Sequence, residues 1–490
     1  MNLAAALLPF VVALPPGAVA PPPGAVPRAA QITVLDRELG LVAVRLPKRG
    51  VAASLRRLRA GPGVRYVERD APAALAGEGC ATVGAEAQKA YPGWRSAIHL
   101  TRRSAAGMLV GIADSGVDDD RIAPLQAPLL KLSAGGDARP RDPFGHGTAV
   151  GSLLVANRPD VGVVGMVPDA TLLSARIVRP NAKCSNAVLS QGLIAAFAWL
   201  RRQGAQVVNV SATVLPSRAL IESLRALQLS GALVVAAVGN GGRVAPRDLF
   251  PASQPGVLGV GALAPRSSTQ VWIDSTRGSQ VDLVAPAEGV KVVASNAPGV
   301  STSAETAITP PGTSFAAPLV TGAATMLWAT HRDWTAAEVA NALVRSATPL
   351  RRGGPNRDSG AGRLDVRHAL RLARMPDPHE PNDWVAAALS QRPLRPGAVV
   401  VASLGYAGDR VDAYTVDVPA GTKARAVLRK GGAGLTLRSL PVKATDVLLA
   451  RAARTRTRPA AQIALPGGRS LLVVTRGQGQ GPYTLAFSGR

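Results

Sequence analysis

Short, nearly continuous apolar segments alternate with amphipathic ones through the middle of the chain, from residue 80 to 375. Strands are predicted at MLVGIAD, TLLSARIV, AQVVNVSA, ALVVAAVGN and VLGVGAL. Helices are predicted at VLSQGLIAAFAWLRRQG, RALIESLRALQLSG and TAAEVANALVRSA, the last of which opens with Thr335 and Glu338 at capping-box spacing. Strands that are apolar on both faces are typical of a parallel sheet covered by helices. The pattern therefore predicts an α/β fold with helices on both faces of a parallel sheet.

Two flanking regions have different patterns. Residues 31–77 combine strand-like segments in QITVLDRELGLVAVRLP, helical spacing in VAASLRRLRA and an alternating VRYVE, which together predict a small α+β unit. A unit of about 45 residues buries little core of its own, so we expect it to pack against its neighbour. Residues 376–490 carry short alternating segments (DAYTVDVPAG, KARAVLRK, RSLLVVTRG, PYTLAFSG) that predict an all-β sandwich.

Residues 1–30 are apolar and then rich in proline. The run MNLAAALLPFVVALPPGAVA ends in the A-x-A-like site Ala18–Ala20, which predicts a secretory signal peptide. No Lys or Arg precedes the run, and Pro21 follows the apparent cleavage site. No later stretch has the roughly 18 uninterrupted apolar residues of a membrane span, so we predict no transmembrane helix.

Composition narrows the function classes only slightly. Hydrophobic residues make up 47% of the 490 residues, which argues against global disorder. The net charge of +25 fits either a diffuse, arginine-rich surface or a polyanionic partner, and the densest basic stretch is LLARAARTRTRP at 448–459. Two cysteines, Cys80 and Cys184, form no disulfide framework. If the protein is exported, they are able to form one disulfide bridge, and otherwise we expect two free thiols.

Four polar residues stand at positions that the predicted fold brings together. Asp114 ends the strand GIAD, His146 begins a helix after DPFG, Asn240 follows the strand VVAAVG, and Ser314 begins the helix SFAAPLVTGAA. In a parallel sheet, strand carboxyl ends and the amino ends of the following helices meet at one edge, where ligands bind. Each residue alone has an ordinary explanation as a turn former, a helix-start histidine or a helix cap. Their convergence at one edge is the signal.

These four residue types form a set that supports acyl transfer. A serine hydroxyl needs an adjacent base, and His146 is able to accept its proton and return it to a leaving amine. Asp114 is able to fix the imidazole tautomer, while the Asn240 side chain and the backbone N–H of Ser314 are able to stabilise an oxyanion. The constellation predicts a serine hydrolase.

The sequence resembles the subtilisin-like serine proteases, or subtilases. The matching strings are GIADSGV, GHGTAVGSLL, GMVPDATLLSARIV, VVNVSA, AAVGN and GTSFAAPLVTGAA, within residues 107–375. The order Asp114, His146, Ser314 is also the subtilase order. The resemblance implies a subtilisin-like fold and a secreted endopeptidase that acts on polypeptides and forms an acyl-enzyme, with no nucleic acid required.

The flanks resemble companions of that family. GPGVRYVERD is similar to the end of a subtilase propeptide, which implies that residues 31–77 act as an intramolecular inhibitor removed by a cut between about Asp70 and Cys80. The alternative is an appendage that stays attached. The region DPHEPNDW to GPYTLAFSG is similar to a bacterial pre-peptidase C-terminal domain.

The resemblance also assigns a substrate-binding wall. It consists of Ser211, Ala212, Thr213, Ala237, Val238, Gly239 and Leu249. Thr213 stands where subtilases usually have glycine, and Leu249 takes the place of the pocket floor. We therefore expect small or medium apolar side chains in the pocket that receives P1, the residue on the amino side of the cut bond.

No cofactor is expected to be required. Many subtilases bind calcium, but the acidic cluster Asp118, Asp119 and Asp120 is too small alone for the six to eight oxygens that calcium takes. We interpret it as a solvated loop and leave calcium as an alternative. Two further function classes stay open beside the protease: a catalytically silent subtilase fold that binds a partner, and a polyanion-binding protein that uses its basic charge.

Overall fold

The computed structural model of the chain describes residues 7–70, 72–75, 91, 93–122, 129–133, 141–178, 188–244, 249–295, 305–352, 355–375, 388, 391–404, 411–422, 424–429, 435–441, 462–465, 467–476 and 481–489. Cys80, Cys184 and the basic stretch 448–459 lie outside these residues. In the described part of the chain, no helix combines the length and apolar character that a membrane span needs.

The N-terminal unit is a four-stranded antiparallel sheet with one helix. Its elements are β1 (Leu7–Ala13), β2 (Gln31–Asp36), β3 (Leu41–Pro47), α1 (Val51–Ala60) and β4 (Tyr66–Arg69). The strand order is β2-β3-β1-β4, so the first strand lies inside the sheet between β3 and β4.

The structure differs here from the prediction of a signal peptide followed by a separate unit beginning at residue 31. The apolar run contributes β1, whose Phe10 and Val12 pack towards α1 while Val11 and Ala13 pack towards the central domain. A strand buried on both faces is apolar throughout, and periodicity alone does not separate it from the apolar core of a leader. The sequence did not indicate this strand because its second covering layer comes from another part of the chain, and removal of the run as a signal peptide stays a prediction.

The central domain is built on a seven-stranded parallel sheet, ordered β16-β15-β14-β12-β6-β10-β7. Those strands are β6 (Leu109–Asp114), β7 (Leu129–Ser133), β10 (Thr171–Arg176), β12 (Val207–Val210), β14 (Leu233–Ala237), β15 (Val257–Ala262) and β16 (Leu283–Ala285). The five strands predicted from sequence are all present, and β7 and β16, which were not predicted, extend the sheet at its two edges.

Helices cover both faces of this sheet, as predicted. The helices are α2 (Trp94–Ala97), α3 (Asp119–Ile122), α4 (His146–Val155), α5 (Ser190–Arg202), α6 (Arg218–Leu229), α7 (Thr313–Thr330), α8 (Ala336–Ser346) and α9 (Val366–Ala369). One core cluster lies between the sheet and α4, α7 and α8, and a second lies between the sheet and α5 and α6. The Thr335–Glu338 capping box predicted for α8 is formed in both directions.

Short strands complete the central domain. They are β5 (Pro72–Leu75), β8 (Asn157–Arg158), β9 (Val163–Val164), β11 (Val188–Leu189), β13 (Ala212–Thr213), β17 (Lys291–Val293) and β18 (Thr306–Ile308). β8 pairs with β9, β17 pairs with β18, and β5 lies between β11 and β13 in a three-stranded sheet. The last of these sheets joins the N-terminal part of the chain to the central domain.

The C-terminal region is all-β, as its alternating pattern predicted. Its strands are β19 (Val399–Leu404), β20 (Val411–Val418), β21 (Ala424–Arg429), β22 (Leu435–Pro441), β23 (Gln462–Leu465), β24 (Gly468–Arg476) and β25 (Gly481–Gly489). They form two antiparallel sheets, β19-β25-β21-β23 and β20-β24-β22. A shared core contains Tyr414, Leu472 and Phe487.

Candidate active site

Asp114 and His146 form a buried hydrogen-bonded pair at the carboxyl edge of the sheet. Asp114 is the last residue of β6 and His146 is the first of α4. The Nδ1 of His146 lies 2.7 Å from Oδ1 of Asp114, and the Asp114 side chain is fully buried. Since a carboxylate only accepts, Nδ1 is the protonated nitrogen and Nε2 is left as the basic one. Nε2 has no hydrogen-bond partner among the described residues.

A second buried carboxylate, Asp142, organises the loop before His146. Its Oδ1 accepts from the Ser115 hydroxyl at 2.7 Å and from the Phe144 and Gly145 amides at 3.0 and 2.9 Å. Its Oδ2 accepts from the amide and hydroxyl of Thr148 at 2.7 and 2.8 Å. These donors include amides at the start of α4 that have no partner within the helix. Asp142 therefore fixes the amino end of α4, and with it the position of the imidazole.

Ser314 lies in the first turn of α7. Gly312 is the residue before the helix and Thr313 its first residue, so Ser314 is inside the helix rather than its cap. The first-turn amides of a helix have no partner within it and are directed outward from its end. Ser314 is fully buried in the structure. Because the helix begins at Thr313, Ser314 is not the helix cap that its position in the sequence also allowed.

Pro318 removes one backbone hydrogen bond from α7, and the side chain of another residue replaces it. A proline has no N–H, so the carbonyl four residues earlier, that of Ser314, receives no bond from Pro318. The Ser211 hydroxyl donates to that carbonyl at 2.9 Å, and the Asn209 side-chain amide donates in turn to the Ser211 oxygen at 2.9 Å. These hydrogen bonds connect the residues after β12 to the first turn of α7.

Replacement of Ser211 by alanine tests whether these hydrogen bonds contribute to stability and activity. Ser211→Ala removes two buried hydrogen bonds, the one to the Ser314 carbonyl and the one from the Asn209 side-chain amide, at a cost of about 1–3 kcal/mol in the free energy of unfolding. We expect a lower denaturation midpoint and a reduced kcat. The matched control is Ser230→Ala, since the Ser230 hydroxyl also donates to a backbone carbonyl, that of Leu227, but is exposed so that water replaces it. Equal stability losses in the two variants would contradict the assignment.

Asn240 is oriented towards the start of α7. Its Oδ1 accepts from the backbone amide and the hydroxyl of Thr313, at 3.0 and 2.8 Å. With the oxygen fixed by two donors, the amide nitrogen is directed away from them. Nδ2 lies 3.5 Å from the position that a Cβ on Gly312 would take. The donor nitrogen therefore faces the turn that leads into Ser314.

The strand β5 lies between β11 and β13 in a three-stranded sheet. Its Leu75 pairs with Ala212 and its Ala74 with Thr213 on one side. On the other side Ala73 pairs with Val188, and Pro72 with Leu189. A segment of the chain's own N-terminal part is thus held as an extended strand between two strands of the central domain.

The predicted substrate-binding wall separates into two groups. Thr213 Cγ2 and Leu249 Cδ1 both approach Gly239, within 3.4 and 3.3 Å of the position that a Cβ there would take. Gly239 has φ +98°, a conformation that favours glycine. Ala237 and Val238, in contrast, are fully buried in the two core clusters, on opposite faces of the sheet. Thr213 and Leu249 thus approach the same glycine, whereas Ala237 and Val238 belong to the core.

Sequence reasoning missed several residues of the site. They are Ser115, Asp142, Thr148, Asn209, Thr276 and Thr313. Asp142 had a readable signal, because an Asp placed before a helix start is a typical capping residue. The others are hydroxyl and amide residues without a pattern of their own, and only the fold shows what they contact.

The acidic cluster after Asp114 is not arranged as the solvated loop that we predicted. Asp118 is buried, its Oδ1 accepts from the Asp142 amide at 3.1 Å, and its Oδ2 accepts from the Ser295 hydroxyl at 2.6 Å. Across the residues that the structure describes, no group of three or more His, Cys, Asp or Glu side chains is arranged to hold a metal ion. Calcium binding stays an untested alternative.

Comparisons with known proteins identify the family of this chain. The subtilase family (peptidase S8) matches residues 105–362, more than half of the chain. This protein belongs to the subtilase family. Subtilisin Savinase from Lederbergia lenta is 30% identical over 281 residues, which are 56% of this chain and 95% of that protein. Subtilisin E from Bacillus subtilis (strain 168) is 29% identical over 327 residues, 64% of this chain and 78% of that protein. The chain is accordingly a subtilisin-like serine endopeptidase.

A solved structure supports the whole architecture. Fervidolysin from Fervidobacterium pennivorans, described as a keratinolytic enzyme related to subtilisin, superposes with a TM-score of 0.60. The superposition covers 99% of this chain and 92% of that one at 16% identity. At this identity the likeness concerns the fold alone.

Proposed function

We propose that this subtilase hydrolyses peptide bonds through an Asp114–His146–Ser314 triad. The observation that carries the proposal is the buried Asp114–His146 pair, whose Nε2 is unoccupied among the described residues. Ser314 supplies the nucleophilic oxygen and His146 Nε2 accepts its proton. Asn240 Nδ2 and the Ser314 amide then donate to the developing oxyanion.

The charge environment of His146 sets the pH dependence that we expect. Burial, the largest influence, favours the neutral ring, but the charge and hydrogen bond of Asp114, with the charge of Asp142, outweigh it and raise the pKa of His146. The base must be neutral to accept a proton. Activity is therefore lost as pH falls through this raised value, so the acid limb of kcat/KM lies above the ordinary histidine value of about 6.5. A pH–rate profile with its acid midpoint below about 6 would contradict this assignment.

We further propose that the N-terminal unit is an inhibitor which the enzyme removes itself. The strand β5, which follows the unit in the chain, lies between β11 and β13, and the sheet of the unit packs on α5 and α6. Glu222 on α6 accepts from the Tyr66 hydroxyl at 2.8 Å and from Arg65 at 3.1 Å. Burial and the bond to Glu222 raise the pKa of Tyr66, which keeps the phenol protonated as a donor. A zymogen assembled in this way stays inhibited until it is cut.

One contact of this interface is a helix cap supplied from outside the helix. The Glu68 carboxylate accepts from the first two amides of α6, those of Arg218 at 2.8 Å and Ala219 at 3.1 Å. The helix's own cap, Ser217, accepts from the third, that of Leu220. Glu68 thereby satisfies two amides that have no partner within α6.

Removal of that cap weakens the docking of the N-terminal unit. In the uncut Ser314→Ala protein, Glu68→Ala should cost about 0.5–2 kcal/mol, the usual range for a lost cap. Amide hydrogen exchange at Arg218 and Ala219 should rise accordingly, and Glu68→Gln, which keeps one oxygen, should fall between. Glu38→Gln is the control, because Glu38 pairs with Arg201 on α5 rather than capping the amides of α6. Unchanged exchange in Glu68→Ala would refute the contact.

A fluorophosphonate label tests the assignment of the nucleophile. In processed protein an activated serine reacts, so we expect one adduct at Ser314 that is absent from Ser314→Ala and from His146→Ala. Absence of any adduct in processed wild type would favour the catalytically silent, partner-binding alternative.

Export to the medium or the cell envelope belongs to the same proposal, supported by the relation to subtilisins and alkaline proteases. Fractionation of producing cells tests it.

A further inference from the structure

The acidic residues of the N-terminal unit are directed at the central domain or buried. Residues 7–70 contain four of them, Asp36, Glu38, Glu68 and Asp70. Asp36 and Glu38 pair with Arg201 on α5 at 3.2 and 2.9 Å. Glu68 accepts from the first two amides of α6, and Asp70 is buried where the unit ends. The negative charge of the unit thus serves its contact with the central domain.

Helix α1 forms the outer layer of the unit. Leu58 is buried, and Val51 and Leu55 are partly buried, in the core between α1 and the four-stranded sheet. The opposite face of that sheet contributes Val11 and Ala13 to the core that it shares with α5 and α6. The sheet therefore lies between α1 and the central domain, and the outer side of α1 is turned away from both.

Five basic residues lie on this outer side or in the turn before the helix. They are exposed to solvent and comprise Lys48, Arg49, Arg56, Arg57 and Arg59, which we call the basic face. Arg57 donates to the neutral Ser54 hydroxyl at 3.5 Å, and none of the five pairs with a carboxylate among the described residues. Ala52 and Ala60 are exposed beside them, so the longer cationic side chains reach furthest outward.

The basic face is electrostatically unfavourable for the unit by itself. The first turn of α1 contains no acidic residue, and Lys48 and Arg49 add positive charge at the end of the helix where its dipole is already positive. Arg56 and Arg59 are like charges at neighbouring positions on the helix, three residues apart. An anionic partner converts this repulsion into attraction.

The surroundings of the basic face favour a flat anionic surface over a nucleic acid. Residues 14–64, which include α1 and the loop that packs beside it, contain no Phe, Tyr or Trp on which a base could stack. The apolar side chains of α1 are turned to the sheet, so the helix has none to insert between lipid chains. Its positive charges extend over about 15 Å along one side of the unit, which fits the phosphate groups of a bilayer surface.

We propose that the uncut chain binds anionic phospholipid membranes through the basic face of its N-terminal unit. The cationic side chains contact headgroup phosphates, and each one close to such a surface raises the partition coefficient about fivefold. Binding is peripheral and requires no change of fold. It places the sheet of the unit between the lipid and the central domain. The inference goes beyond proteolysis, since it concerns where the uncut chain is held.

Sedimentation with vesicles tests the proposal on the uncut Ser314→Ala chain, whose length is checked by intact mass. One set of vesicles contains equal parts of phosphatidylglycerol and phosphatidylcholine, and the other contains phosphatidylcholine alone. We expect binding to the anionic vesicles only, and its loss in about 1 M sodium chloride, where charges are screened over about 3 Å. Equal binding to both sets, or binding that salt does not weaken, would overturn the proposal.

Removal of charge tests where the chain touches the lipid. Arg56→Gln combined with Arg59→Gln should lower the partition coefficient about twentyfold, at about fivefold for each arginine. The matched control combines Arg351→Gln with Arg352→Gln, two exposed arginines of the central domain, and should bind like the parent chain. Equal losses in the two double variants would show diffuse attraction by the net charge of +25 and would contradict the assigned surface.

Acetylation of lysines keeps the proposal testable should the double variant fail to fold. Lys48 belongs to the basic face, and Lys291 is an exposed lysine of the central domain. Anionic vesicles should slow acetylation of Lys48 severalfold in the Ser314→Ala chain and leave Lys291 unchanged, as read by peptide mass spectrometry. Equal protection of both lysines, or of neither, would refute the docking. Retention on DNA or heparin without vesicle binding would assign the basic face to another polyanion and overturn the membrane proposal.

Discussion

Ser314→Ala should abolish both turnover of added substrate and removal of the N-terminal unit. Without the hydroxyl, His146 has no nucleophile to activate, and only the oxyanion donors and substrate binding still assist a water molecule. In subtilisin itself, a relative of this protein, loss of the corresponding serine lowers kcat roughly a millionfold, and we expect a loss of the same order. The expected product is a stable chain that still carries its N-terminal unit.

The comparison needs a serine variant that leaves the site intact. Ser267 lies in a turn, where its hydroxyl accepts from the Thr269 and Gln270 amides, so Ser267→Ala is a matched control with expected wild-type turnover. Turnover is measured with a chromogenic peptide, and processing by intact mass. Residual activity above about a thousandth of wild type in purified Ser314→Ala would exclude Ser314 as the nucleophile.

Asp114→Asn should lower kcat by about 10⁴, the size of loss seen when a triad aspartate becomes asparagine. An asparagine in this place is able to turn its amide group towards Nδ1, which favours the tautomer with the proton on Nε2, the atom that must accept from serine. Removal of the carboxylate charge also takes away the main influence that raises the pKa of His146, while burial, which lowers it, remains. The acid limb of the remaining activity should therefore move to lower pH.

That shift separates an electrostatic partner of His146 from a merely structural residue. Asp120→Asn is the control, because Asp120 is an exposed carboxylate on the short helix α3 that follows β6 and should leave kcat and the pH profile unchanged. An Asp114→Asn enzyme with reduced kcat but an unmoved acid limb would argue that Asp114 acts through folding alone.

The central fold was readable because its strands are buried on both faces. A strand in that position is a short apolar run, and five such runs with helical segments between them predicted a covered parallel sheet. The three-residue strand β16 (Leu283–Ala285) carried no comparable signal, since a run that short is found in loops as well. β1 was not predicted as a strand because its apolar residues pack against two different layers, one of them formed by helices almost 200 residues further along the chain.

The sequence by itself determined the family, the order of the candidate triad and the edge of the sheet at which these residues meet. The local pattern is enough for these predictions, because the end of a strand and the start of a helix are each indicated by neighbouring residues. Only the tertiary structure decided which atoms touch. It showed that Ser211 satisfies the carbonyl that Pro318 leaves open, that Asp142 fixes the start of α4, and that Leu249 and Thr213 approach the same glycine. Such contacts join segments far apart in the chain, and their geometry is set by packing, which no single stretch of sequence records.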